Sequence, residues 1–359
     1  MGRFDRILII KLGSIGDVVH TLPSLSALKE AFPEAIIDWL VETKSSIVLR
    51  NNPLLHRVIE VDTQRWRKLW ARPAVWSEVL KQLLFLRHQR YDVALDFQGL
   101  WKSAIWGRFS GARLVIGFGK RTLREPGCRI LYDEKVTVQP ETHHIIDICS
   151  ELPRSLGART NGYRFDLPVS SEDDAYVSAQ LSAHSVKEFI ILNPGGGWDT
   201  KTWEAENFAQ LHLKLRERLS FQSVITWGPG EQHLVERLVN ASKDDPPVVF
   251  PTTISQFVAL ARRARLFVGG DTGPLHLAAA CRTPIVGVFG PTDPVRNGPF
   301  CPDDLVVSHP VPCGPCYKRN CEKYKKQCLQ LVTVDEVFRA VLRRLGLPSV
   351  HGSGLSASN

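Results

Sequence analysis

Carboxylates, lysines and a histidine set beside glycines mark the places where this chain could do chemistry. Asp17 closes the stretch Lys11-Leu12-Gly13-Ser14-Ile15-Gly16-Asp17, a glycine turn between a short β-branched run and a helical segment. Two roles are open to an acid there. As a helix-start carboxylate it satisfies orphan amides; as a general base it faces the ligand that an open glycine turn admits. A dinucleotide does not suit this turn, because Gly13-Ser14-Ile15-Gly16 lacks the G-x-G-x-x-G spacing on which a pyrophosphate rests. Glu42, ending a later strand, is only a weak imitation of a ribose-binding acid.

A second candidate is Gly269-Gly270-Asp271-Thr272-Gly273-Pro274-Leu275-His276. Pro274 fits a first helical turn, where it costs no hydrogen bond. The amides of Thr272 and Gly273, with the helix dipole, offer an anion site. His276, one turn in, reaches either a phosphate or the core among Leu275, Leu277 and Ala278. Asp271 would repel a phosphate, so it is expected to accept a hydrogen bond from a sugar or ribose hydroxyl. The third candidate is Gly195-Gly196-Gly197-Trp198-Asp199-Thr200-Lys201. Its glycines allow close backbone approach, and Lys201 is a point charge suited to a diphosphate. Glu231, after Gly228-Pro229-Gly230, is either a ligand for ribose hydroxyls or an exposed helix-start acid. Nowhere are two aspartates spaced D-x-D, so a divalent ion bridging a sugar diphosphate has no obvious seat and no metal is expected. Leaving-group charge would then fall to amides and Lys201.

Cys313-x2-Cys316-x4-Cys321-x6-Cys328 lies among basic residues. Four thiols have the number for a zinc site or two disulfides, but the spacing is compact for a zinc ribbon, and free or locally paired thiols are expected. Taken alone, this basic segment would suit a nucleic-acid module; two complete α/β domains make that a poor account of the whole chain.

The elements that must position these groups alternate between strands and helices. Arg6–Ile10, Ile36–Val41 and Tyr91–Asp96 read as strands, with a helix over Val18–Phe32. The pattern restarts at Phe189–Leu192, followed by a helix from Glu204 and strands at Ser223–Thr226, Leu266–Val268 and Pro284–Phe289. Alternation of this kind predicts parallel sheets, whose ligands sit beyond the carboxyl ends of the strands. Asp166–Asp174 reads as a linker. At 359 residues, 43% of them hydrophobic, the chain has material for two cores. Lys and Arg outnumber Asp and Glu by 45 to 37, a net charge of +8, which hints at an anionic partner such as phosphate, nucleic acid or a charged lipid surface. The apolar run after Met1-Gly2-Arg3-Phe4-Asp5-Arg6 is too short for an export signal, and no stretch approaches the ~20 residues of a spanning helix, so a cytoplasmic location is expected.

Taken in order, these motifs resemble the lipopolysaccharide heptosyltransferases of glycosyltransferase family 9, with the heptosyltransferase I branch nearest. The pieces carrying the resemblance are Gly16-Asp17-Val18-Val19-His20-Thr21-Leu22-Pro23, Asp96-Phe97-Gln98-Gly99-Leu100-Trp101-Lys102-Ser103, Arg124-Glu125-Pro126, Asp271–His276 and Gly290-Pro291-Thr292-Asp293-Pro294. The resemblance runs from about Ile7 to Leu347. It implies a GT-B fold, in which two doubly wound Rossmann-like domains face a central cleft. An acceptor domain over 1–168 would be followed by an ADP-sugar domain over 169–332. A helix over 333–347 would pack back on the first domain, and a Gly/Ser-rich tail, 348–359, would lack fixed structure.

The implied reaction is inverting, metal-independent transfer of heptose from ADP-L-glycero-D-manno-heptose to the Kdo of the lipid A core, with no cofactor and no nucleic acid involved. By the same resemblance Asp17 is the catalytic base. Gly196, Gly197, Lys201, Glu231, Asp271, Thr272, Gly273 and His276 hold the donor, and Arg65, Lys68, Lys102 and Arg124 face the anionic acceptor. Attachment to the inner leaflet of the inner membrane would be peripheral. Two departures stand out. Relatives can carry hydroxyl residues where this chain has Gly196 and Gly197, so contacts there pass to the backbone. The cysteine cluster is commoner in the heptosyltransferase II-like branch, which keeps transfer of heptose to heptose as an alternative. A nucleotide-dependent oxidoreductase is a more distant one.

Overall fold

Runs of β-branched residues too apolar for a solvent-facing sheet form the interior of two parallel sheets in the computed structural model, which describes residues 4–159 and 162–348. The chain divides into two units, Met1–Ser170 and Ser171–Asn359. Asp166–Asp174 is therefore only partly a linker. Its acidic end forms the first turn of the helix Ser171–Ala183, where Glu172, Asp173 and Asp174 complement the helix dipole.

In the first unit the strands are β1 (Arg6–Ile10), β2 (Ile36–Glu42), β3 (Arg57–Val61), β4 (Val93–Asp96), β5 (Leu114–Phe118) and β6 (Glu134–Val136). They pair in parallel in the order β3-β2-β1-β4-β5-β6. Ile7 to Ile10 are fully buried, as a parallel strand covered on both faces requires. The covering helices are α1 (Ile15–Val19), α2 (Leu22–Ala31), α3 (Thr63–Lys68), α4 (Pro73–His88), α5 (Trp101–Phe109) and α6 (Ile145–Ser155). The single helix expected over Val18–Phe32 is two, because Pro23 has no amide to donate. The chain breaks at His20-Thr21 and restarts, placing Pro23 in the first turn of α2.

The second unit repeats the plan. Its strands are β7 (Phe189–Asn193), β8 (Gln222–Ile225), β9 (Val248–Val249), β10 (Leu266–Gly270), β11 (Ile285–Phe289) and β12 (Leu305–Ser308). All are parallel, in the order β12-β11-β10-β7-β8-β9. The helices are α7 (Ser171–Ala183), α8 (Ala205–Leu219), α9 (Gln232–Ala241), α10 (Ile254–Ala261), α11 (Gly273–Ala280), α12 (Pro294–Asn297), α13 (Gln327–Gln330) and α14 (Val334–Arg344). In each unit the order of winding reverses beside the first strand, between β1 and β4 and between β7 and β10. Such a switch point opens a crevice at the carboxyl ends of the strands.

The C-terminal helix, expected against the first unit, finds its cover inside the second. Val337, Phe338, Val341 and Leu342 of α14 are buried in the second unit's core with Leu211 and Leu215 of α8 and Val286 and Val288 of β11. Arg344 Nε donates to Asp304 Oδ1 at 2.9 Å, and Lys214 pairs with Asp335. The strongly amphipathic α14 buries its apolar face against α8 and β11, so local burial decides its place. The expected tail, from residue 349 onward, lies outside the described residues. Among the described residues no helix is long and apolar enough to cross a membrane.

Phe338→Ala should cost the second unit about 3–5 kcal/mol. Hydrogen exchange would then show lost protection in α8, β11 and β12 while β1–β5 keep theirs; loss centred on the first sheet would refute this packing.

Candidate functional site

Each unit gathers its chemistry-bearing residues at the carboxyl edge of its sheet. In the first, the turn after β1 leads into α1, and Ser14 is the N-cap. Asp17, at the third helical position, closes a capping box: its Oδ2 accepts from the Ser14 amide and hydroxyl, both at 2.9 Å. Gly13 is required here, since a Cβ would lie 2.4 Å from Asp17 Oδ2. Holding one oxygen in the cap does not bury the acid, whose side chain stays 38% exposed. The helix-start role is thus filled while the carboxylate stays open to solvent.

Lys11 had no role in the reading of the sequence. It is buried, donates to the Phe97 carbonyl at 2.9 Å, and lies 3.7 Å from Asp17 Oδ1. The contact with Phe97 joins the turn after β1 to the turn after β4, across the switch point. That second turn is fixed by Asp96, another residue without an assigned role. Asp96 is fully buried and accepts from the Gln98 and Gly99 amides, Ser103 Oγ and Tyr132 OH. Burial pushes its carboxyl up, and these four hydrogen bonds oppose the shift.

The four basic residues expected to meet an anionic acceptor lie beyond the same sheet edge, after β3, β4 and β5. Lys102, in the first turn of α5, reaches Glu42 Oε1 at 3.1 Å and Thr63 Oγ1 at 3.4 Å. Glu42 is thereby a buried partner for Lys102 and Thr63. Arg65 on α3 pairs with Glu78 and lies 3.8 Å from Asp62. Lys68 and Arg124 are exposed and make no ion pair among the described residues. Lys102 is thus drawn into a fixed cluster, whereas Lys68 and Arg124 remain unengaged cations.

In the second unit, Lys201 ends a 3-10 turn over Asp199–Lys201 in the loop after β7, and Asp271 follows β10. Lys201 Nζ donates to Asp271 Oδ2 at 2.7 Å and to its carbonyl at 2.9 Å. His276 Nε2 meets Asp271 Oδ1 at 3.0 Å. Both carboxylate oxygens are therefore engaged, and Asp271 is only 6% exposed. Asp271 is thus a buried clamp on Lys201 and His276. Burial by itself would raise the Asp271 carboxyl; the His276 hydrogen bond and charge, with Lys201, outweigh it and hold the group well below the usual carboxylate range. Beside them α11 begins at Gly273, with Thr272 as its N-cap. The Thr272 hydroxyl is buried without a hydrogen-bond partner. A buried orphan hydroxyl next to unsatisfied helix-start amides is suited to a polar, anionic ligand.

Glu231 sits one residue before α9, and its carboxylate is not turned out to solvent. Oε1 accepts from the Gly196 and Gly197 amides at 3.1 and 3.2 Å, and Oε2 from the Gly228 amide at 2.7 Å. It thus ties the loop after β7 to the loop after β8. A Cβ on Gly195 would lie 2.1 Å from Glu231 Oε2, so that glycine makes room for the carboxylate. Gly197 adopts φ +69° with open space around it.

Trp198 was legible only as part of a glycine-rich run. Its ring carries Lys201 Nζ at 4.2 Å and the Arg319 guanidinium at 5.2 Å. Arg319 belongs to the cysteine segment, which folds against this loop: Thr200 Oγ1 donates to the Lys318 carbonyl at 2.6 Å, and Lys326 pairs with Asp199 and Glu204. Cys313, Cys316, Cys321 and Cys328 are unpaired thiols lining one small cavity with Thr200 and Pro291. Among the described residues no three His, Cys, Asp or Glu side chains are placed to hold a metal ion.

Residues 79–327 match the family described as glycosyltransferase family 9 (heptosyltransferase). The chain is 31% identical over 320 residues to lipopolysaccharide heptosyltransferase 1 of Pseudomonas aeruginosa, covering 88% of this chain and 87% of that protein. It is 30% identical over 310 residues to lipopolysaccharide heptosyltransferase 1 of Escherichia coli K12, covering 85% and 94%. Among solved structures it is similar to E. coli heptosyltransferase WaaC with ADP, at a TM-score of 0.75 and 27% identity over 94% of this chain and 99% of that one. The structure of WaaC with ADP-2-deoxy-2-fluoro heptose matches with a TM-score of 0.73 over 94% and 98%.

Replacing Asp271 by Asn should destabilise the second unit by about 3–5 kcal/mol, because it strips a buried ammonium of its counter-charge. The carboxyl is depressed in the folded state, so its contribution is present above the unfolded value and lost as pH falls. Urea titrations should give a constant difference between wild type and variant above about pH 5, shrinking below about pH 4. A difference independent of pH would show that the charge is not what holds the clamp.

Proposed function

The chain belongs to glycosyltransferase family 9, the heptosyltransferases, and from that premise we propose that it moves L-glycero-D-manno-heptose from ADP-heptose to the Kdo of the lipid A core in lipopolysaccharide biosynthesis. Its fold is of the GT-B type, two doubly wound Rossmann-like units. The observation carrying the donor half of this reading is the Lys201–Asp271–His276 cluster beside the orphaned Thr272 hydroxyl at the start of α11. The names of the relatives support heptose transfer in lipopolysaccharide assembly, and the solved relative with ADP supports the nucleotide.

Asp17 acts as the general base. It takes the proton from an acceptor hydroxyl as that oxygen attacks the anomeric carbon of the heptose, while the bond from that carbon to the diphosphate oxygen breaks and ADP departs. One displacement of this kind inverts the configuration. The transition state carries positive charge on the sugar and negative charge on the departing phosphate. Lys201, the amides of Thr272 and Gly273 and the Thr272 hydroxyl meet the latter. These groups do the work of a metal ion, in keeping with the absence of any D-x-D spacing in the sequence. Asp271 orients Lys201 and His276 toward the donor. Glu231 keeps Gly196 and Gly197 in place, and its carboxylate retains capacity for a ribose hydroxyl.

Arg65, Lys68, Lys102 and Arg124 receive the carboxylates and phosphates of the acceptor. That acceptor is lipid-borne, so the enzyme works at the cytoplasmic face of the inner membrane, attached peripherally and reversibly.

Incubation with ADP-heptose and a Kdo-bearing acceptor should yield a product heavier by one heptose in mass spectrometry; no mass gain on any such acceptor would end this reading. Asp17→Asn should lower kcat by about 10²–10⁴-fold and leave the calorimetric Kd for ADP unchanged. Undiminished turnover would remove Asp17 from the mechanism. Lys201→Ala should weaken ADP binding by about tenfold or more, the loss of one charge-assisted contact; an unaltered Kd would count against its role.

A further inference from the structure

Two helices of the first unit carry exposed apolar residues at helical spacing, Trp101, Ile105 and Phe109 on α5 and a second row on α4 that Trp70 extends. Helix α4 buries Val75 and Leu86 and packs Val79 and Leu83 against the core. Alongside that buried strip Trp76, Leu80 and Leu84, spaced i, i+4 and i+8, stand 61, 56 and 56% exposed. Trp70, just ahead of the helix, is 67% exposed, and Trp76 Nε1 donates to its carbonyl at 2.7 Å, which ties the Trp76 indole to the backbone at Trp70. This helix is therefore apolar on two adjoining strips, one for the core and one with no partner among the described residues. A continuous apolar stripe on a monomer's surface marks an interaction site.

Its charges say what kind of partner fits. Arg67, Arg72, Lys81 and Arg87 are exposed around the stripe. The single acid of the helix, Glu78, is already engaged by Arg65 and by Trp66 Nε1. Indoles and leucines rimmed by cations, on a helix of about 24 Å, have the composition that settles into the headgroup–acyl boundary of an anionic bilayer. Trp70 lies two residues after α3, which carries Arg65 and Lys68.

We propose that the exposed face of α4, with Trp70, docks the enzyme onto anionic phospholipid, Trp76, Leu80 and Leu84 entering the boundary and Lys81 and Arg87 lying on the headgroups. Seated this way, Arg65 and Lys68 on α3 lie next to the bilayer from which an acceptor glycolipid must be drawn; that part rests on the reading of a lipid-borne acceptor, whereas the docking itself does not.

The test is co-sedimentation with phosphatidylglycerol vesicles and with phosphatidylcholine vesicles, at low and high salt. Wild type should bind the anionic vesicles, release from them as salt rises, and bind the neutral ones at least tenfold less. The triple variant W76S/L80S/L84S should lose at least tenfold in partition to anionic vesicles, as should the double variant K81E/R87E, which leaves the apolar stripe intact if the triple variant folds poorly. Transfer to a soluble, deacylated acceptor should stay at the wild-type level in both variants. Sedimentation unchanged in both variants, or absent in wild type, would overturn the proposal, as would a dimer in ultracentrifugation that the triple variant abolishes. A wild type that binds vesicles yet transfers no heptose would defeat the functional reading alone; one that transfers but does not bind would defeat the docking surface alone.

Discussion

A single lysine ammonium holds the second unit's site together. Lys201 arrives on the loop after β7 and Asp271 on the loop after β10, and their contact spans the point where the sheet reverses its winding. An ammonium this buried needs a counter-charge, and a carboxylate this buried needs more than one donor. Asp271 meets both demands by taking Lys201 on one oxygen and His276 on the other. In the proposed transfer this rigid cation, at the mouth of a helix N-terminus, meets the charge that develops on the departing phosphate. Preorganisation of this kind spares the reaction the cost of turning dipoles while the bond breaks.

The first unit uses the same device with different chemistry. Lys11 spans its switch point from the loop after β1 to the Phe97 carbonyl after β4, and the group presented there is a carboxylate, Asp17, held at one oxygen by Ser14. One sheet order, repeated, thus presents an acid on one unit and a cation on the other. A base and an anion-binding pocket are the two requirements of a glycosyl transfer that leaves a nucleotide. Membership of the heptosyltransferase family disposes of the oxidoreductase reading, which the missing dinucleotide fingerprint had already weakened. The cysteine segment takes its place as support, its Arg319 closing over Trp198 and its Lys326 pinning Asp199 and Glu204.

The sequence by itself determined the class of fold and the loops that carry the chemistry. Continuous β-branched runs such as Ile7–Ile10 and Phe189–Leu192 can be satisfied only in sheets covered on both faces. Glycines at the strand ends then fix where a ligand comes near, so Asp17, Lys201 and Asp271 stood out from neighbours of the same types. Tertiary structure decided the partners. That Asp271 clamps Lys201, that Glu231 binds glycine amides, and that Lys11 and Asp96 hold the first unit's turns through Phe97 and Tyr132 all depend on residues tens of positions apart. The course of α14 was likewise undecidable from its own pattern. Its amphipathic stripe states that one face must be buried, and only the bare side of α8 and β11 states against what. Local sequence encodes which surfaces need cover and which groups need a partner; the identity of the cover and the partner is a property of the assembled chain.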